Sequence, residues 1–192
     1  MVSVSDFLSV DAMLSLLGIA IGVSIFLMQR NADTKINRII ETQFRRQQLE
    51  KNYFGTRLMR SLELIGKNYG KLARFLSDYL KERSSDGKNK VKSFCDFQAI
   101  NLEEYVVPAM RGDLGHLIEF IDDLELVDQL SSAFDGFSSI YKDLSLDSAF
   151  QAPDAELRER LEEAQESSKK VEVLVTRLGQ EIPKMEGLSP SR

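Results

Sequence analysis

The chain reads as all-α, with one N-terminal transmembrane helix followed by a cytoplasmic helical bundle carrying coiled-coil-like seams. Three observations predict this. Eighteen consecutive residues, Ala12 to Gln29, carry no charge; thirteen of them are Ala, Val, Ile, Leu, Met or Phe and cover every side of a helical wheel. Farther on, apolar residues recur at alternating steps of four and three along two long segments. Only 4 of the 192 residues are proline, and no stretch alternates as a strand would. An apolar share of 43% and a charged share of 29% exclude a disordered or low-complexity chain.

Residues 1–11 form a short leader expected on the non-cytoplasmic side. It contains Asp6 and Asp11 but no Lys or Arg. The span 12–29 follows, about 27 Å long as a helix and therefore close to the hydrocarbon thickness of a bilayer. A cleaved signal peptide would need a basic leader and a small-x-small cleavage site, and neither is present. Arg30, Lys35, Arg38, Arg45 and Arg46 crowd the next residues, so the positive-inside rule puts the chain from residue 30 onward in the cytoplasm. Within the span, Gly18 and Gly22 make a G-x-x-x-G pair. Such a pair would let a second copy's helix approach closely, although glycine is also simply common in membrane helices.

Residues 30–83 read as a long basic juxtamembrane helix or helices. Leu58, Leu62, Ile65, Tyr69, Leu72, Leu76 and Tyr79 form a regular seam, with Ile36, Ile40 and Phe44 a less regular apolar face upstream. Gly55, Gly66 and Gly70 each weaken the helix by about 1 kcal/mol relative to alanine, and a break is expected near Tyr53–Gly55. Residues 84–90 contain no apolar side chain and predict a loop. An acidic helical domain, 91–183, completes the fold. Its expected elements are a short helix with Phe94, Phe97 and Ile100; a helix starting at Asn101–Glu104 and limited by Pro108; and a helix capped by Asp113 that places Leu114, Leu117, Ile118, Ile121, Leu124 and Val127 on one face. A segment with Phe134, Phe137, Ile140, Tyr141 and Leu144 follows. The last helix starts near Pro153, repeats Leu157, Leu161, Ala164, Ser168, Val171, Val175, Leu178 and Ile182, and stops at Pro183. Residues 184–192 are expected to be a frayed tail.

The net charge of −5 conceals a division: residues 30–92 carry +9 and residues 93–192 carry −12. Such a split suits contact with anionic lipid by the basic part, or pairing between the basic helix and the acidic ones. The acidic distal half and helically spaced aromatics argue against nucleic acid.

Chemistry is sparsely signalled. One cysteine, Cys95, lies between two phenylalanines, which suits a small buried residue rather than an activated thiolate. The one histidine excludes every site that needs two from a single chain. Asp113, His116 and Glu119 fall at i, i+3 and i+6 and are the only metal-ligand candidates; carboxylate-x-x-His is half of a di-iron bundle pattern whose other half is missing. No phosphate-binding glycine loop or nucleophile elbow is present, so no cofactor and no catalytic residue is assigned. The expected role is a membrane-anchored interaction or tethering module with a protein partner. The alternatives are a dimeric membrane signalling or assembly subunit with a juxtamembrane coiled coil, and a metal-dependent helical enzyme.

Overall fold

A computed structural model describes residues 4–182, with side chains from Ser15 onward except those of Leu16 and Gly18. Every element among them is helical: α1 (Val4–Glu82), α2 (Ser85–Asn101), a π-helical turn (Leu102–Val106), α3 (Val107–Leu117), a 3-10 turn (Ile118–Phe120), α4 (Leu124–Gly136), α5 (Ser139–Ser145), a second 3-10 turn (Asp147–Phe150) and α6 (Asp154–Glu181). The chain divides into two units, Met1–Gln48 and Leu49–Arg192.

In the first unit, the described residues from Ile19 to Gln47 are all exposed, large apolar side chains included. Among the described residues no helix is long and apolar enough to cross a membrane. Of the expected span, Ala12, Met13, Leu14, Leu16 and Gly18 lie outside the residues whose side chains are described, as does the leader.

The second unit is a bundle around one core. All seven residues of the predicted α1 seam, Leu58 through Tyr79, are buried in it. From α6, Leu157, Ala164, Val171 and Leu178 are buried, as is Ile182 just past its end, with Leu161 and Val175 packed at the edge. The shorter helices α2 to α5 lie between these two in sequence and contribute, among others, Val91, Met110, Leu130 and Tyr141. A fully buried leucine or isoleucine stabilises by about 1.5–3 kcal/mol relative to exposure, so these stripes are what hold the helices together.

Several boundaries differ from the sequence expectation, each for a local reason. Residues 53–55 do not break α1, because Gly55 is the place where Ile182 packs against the helix and a Cβ there would collide with its side chain. The loop expected over residues 84–90 is helix from Ser85 onward; only Arg83 and Ser84 interrupt it. Arg83 turns the chain with a left-handed φ of 48°. Ser84 then caps α2, its Oγ accepting from the Gly87 N–H at 3.1 Å. Polarity there marks exposure, not loss of helix.

No new helix starts at Asn101–Glu104. The chain passes through the π-helical turn directly into α3, and Pro108, which has no N–H to donate to the turn before it, sits just after that π-helical turn at the start of α3. Asp113 does not cap a helix, since it lies inside α3. The cap is Asp123, whose carboxylate accepts from the Leu126 N–H at 3.0 Å. The single face expected from Leu114 to Val127 is therefore split between α3 and α4, with Ile121 extended between them. Pro153 occupies the N-cap of α6, and Asp154 and Glu156 fall in its first turn, where carboxylates oppose the exposed N–H groups. Pro183 and the tail lie outside the described residues.

Candidate functional site

The three metal-ligand candidates do not converge. Asp113 is buried on α3 and turns toward α1, where Arg57 Nε lies 3.4 Å from its Oδ2. Burial pushes its carboxyl pKa up, opposed by the charge of Arg57 and then by that of His116. His116 stacks on Phe54 of α1, with ring centroids 4.2 Å apart and planes 13° from parallel. Glu119 is exposed in the 3-10 turn. No group of three or more His, Cys, Asp or Glu among the described residues is placed to hold a metal ion. What the sequence reading missed is that α1 supplies the partners of both Asp113 and His116. No spacing along α3 signals that.

The buried polar groups of the bundle are structural in kind. Asn68 Nδ2 of α1 donates to Gln98 Oε1 of α2 at 2.9 Å, and both side chains are buried. Tyr69 donates its hydroxyl to the Phe137 carbonyl at 3.0 Å and stacks on Tyr141. The Tyr141 hydroxyl is buried with no hydrogen-bond partner among the described residues. Cys95 is fully buried, and burial, assisted by the charge of Asp96, pushes its thiol up to about 12. A thiol in that environment stays protonated and unreactive at neutral pH.

The described surface carries open grooves. A groove of about 790 Å³ runs between α1 and α6, bordered by Leu64, Gly66, Gly70, Val171 and Val175. Gly66 lets the two helices approach, and Ser168 Oγ of α6 donates to the Gly66 carbonyl at 3.0 Å. The α1 rim of the groove is predominantly basic, with Lys67, Lys71 and Arg74 beside the one acid Glu63. These three have no ion pair among the described residues, although acids outnumber bases in the later helices.

Part of the charge division is resolved by pairing across helices. Arg57 meets Asp113, Arg83 meets Asp154, and Lys88 and Lys92 meet Asp147 at 3.0 and 3.1 Å. Upstream, Arg30, Lys35, Arg38, Arg45 and Arg46 are all exposed on α1, and Arg45 pairs with Glu41 one turn away. Gly22 has open space around the position of an added Cβ. Gly18 lies outside the residues whose surroundings are described.

Comparison with protein-family models, with curated proteins and with solved structures finds no match for this chain.

Proposed function

We propose that the protein is a single-pass membrane-anchored helical module that tethers a protein partner, with Ala12–Gln29 as the anchor and the bundle as the part that meets the partner. The observation that carries this is a contrast between the two units. The bundle encloses a core of its own, from Leu58 to Ile182. In the first unit, Ile19, Ile21, Phe26, Leu27 and Met28 are each at least 52% exposed, around one helix. A helix that is apolar all round is stable only inside lipid or protein. Nine Leu, Ile, Val and Phe side chains lie between Ala12 and Gln29. At about 0.3–0.6 kcal/mol each near the bilayer centre they favour insertion by about 3–5 kcal/mol. Ser24 adds little cost, because its hydroxyl donates to the Ala20 carbonyl at 2.8 Å within the helix.

The basic flank, in which Arg30, Lys35 and Arg38 have no ion pair among the described residues, supports an orientation with the bundle on the cytoplasmic side and the leader across the membrane. Tethering then works by raising the bundle's local concentration at the membrane surface. Alkaline carbonate extraction of native membranes, combined with protease protection of the sealed vesicles, tests this. The full chain should stay in the membrane pellet with the bundle on the cytoplasmic face. Release by carbonate, or a mature N-terminus beyond Arg30, overturns it.

A further inference from the structure

We infer that the helix of the first unit is one half of a parallel pair, and that its partner is a second copy of this chain. Gly22, Ile25, Gln29, Ala32, Ile36 and Ile39 follow one another at steps of 3, 4, 3, 4 and 3. That is the spacing of a coiled-coil seam, and it continues to Gln43 without a charged residue. The segment is otherwise rich in charge. Arg30, Asp33, Lys35, Arg38, Glu41 and Arg45 all fall off the seam, so a second identical helix can lie along it without burying any of them.

Among the described residues, nothing in the first unit covers the seam. Ile36 and Ile39 are more than half exposed, and nothing lies within 4 Å of a Cβ added to Gly22. A glycine inside a helix costs about 1 kcal/mol relative to alanine, and no contact within the chain requires one there. Close approach of a second helix would use one. Lipid cannot cover the whole seam if Ala12–Gln29 is the membrane span, the one point at which the inference rests on the proposed anchor. Ile39 then lies ten residues, about 15 Å, beyond the end of the span along a continuous helix. Whatever covers that part of the seam is protein rather than lipid. A seam that is uncharged over this whole length is complementary to itself, with Gln29 and Gln43 facing their own copies. Polar residues at such positions fix alignment and strand number.

Single cysteines at Ile36, Ile39 and Gln43, compared with Thr34 and Glu41 on the opposite face, test the pairing in the full chain in native membranes under mild oxidation. The parent chain, whose one cysteine is buried, sets the background. The expected result is a disulfide-linked dimer several-fold more abundant at the three seam positions than at the other two. No dimer above background, or a maximum at Thr34 or Glu41, overturns the pairing. Carbonate extraction of the same samples separates the two proposals. A seam pattern in carbonate-released protein removes the anchor and keeps the pair, whereas a chain retained in the membrane without the pattern keeps the anchor and removes the pair.

Discussion

Replacing Gly70 by alanine should stabilise the bundle by about 1 kcal/mol, whereas the same change at Gly66 should not. Each glycine sits inside α1, where alanine is favoured by about 1 kcal/mol. At Gly70 the new Cβ would meet only Ser168 Oγ, at 4.0 Å, an ordinary contact that leaves the gain intact. At Gly66 it would stand 3.3 Å from Val171 Cγ1 and 3.9 Å from the Ser168 carbonyl oxygen. Val171 is buried and β-branched, so it has little freedom to turn away. Overpacking of this kind costs about 1–3 kcal/mol. Set against the propensity gain, Gly66→Ala should fall between neutral and about 2 kcal/mol destabilising. In a domain of this size, 1 kcal/mol corresponds to a Tm change of about 3–4 °C. Urea unfolding of residues 49–192, which contain the whole buried core, followed by far-UV circular dichroism, reads both values. If Gly66→Ala stabilises as much as Gly70→Ala, α1 and α6 do not approach at Gly66 and the packing described for that crossing is wrong.

Four further outcomes can be checked on the same material. Asn68→Leu should cost about 1–3 kcal/mol, because it leaves Gln98 buried without its partner, and the double change Asn68→Leu/Gln98→Met should recover most of that loss in a double-mutant cycle. Tyr141→Phe should be neutral to about 1 kcal/mol stabilising, since the hydroxyl it removes is buried and unpartnered; clear destabilisation would mean the hydroxyl is bonded. Asp113 binds its proton more tightly in the folded protein than in the unfolded chain, so its contribution to stability falls as pH rises from the ordinary carboxylate range through its raised pKa. Asp113→Asn should remove that fall, read as a flatter stability profile between acid and neutral pH. Cys95 should resist a thiol reagent in the folded protein at mildly alkaline pH and react fully in urea; rapid labelling of the folded form would contradict its burial.

The seams were legible because hydrophobic periodicity is a local property. Leu58 through Tyr79 on α1 and Leu157 through Leu178 on α6 alternate at helical spacing whatever lies opposite, and burial of most of those positions follows from that spacing. The start of α6 was legible for a similar reason, since proline and early carboxylates favour a helix N-terminus wherever they occur. Residues 84–90 were misread because an absence of apolar side chains reports only that a segment faces water. Ser84 had to be recognised as a cap before the helix behind it became visible. Asp113 and Asp123 were confused for the same reason: both are acids in front of apolar runs, and only one has its carboxylate aligned on a free N–H.

The sequence by itself determined that the chain is helical, where its apolar stripes run, and that its charge divides between a basic early part and an acidic later one. Tertiary structure alone decided what the polar residues do. Asn68 meets Gln98, Asp113 meets Arg57, and His116 lies flat on Phe54. A stripe on one helix is set by the repeat of that helix. The fate of a single buried polar group depends on which side chain a different helix brings within about 3 Å of it, and no periodicity within either segment encodes that distance.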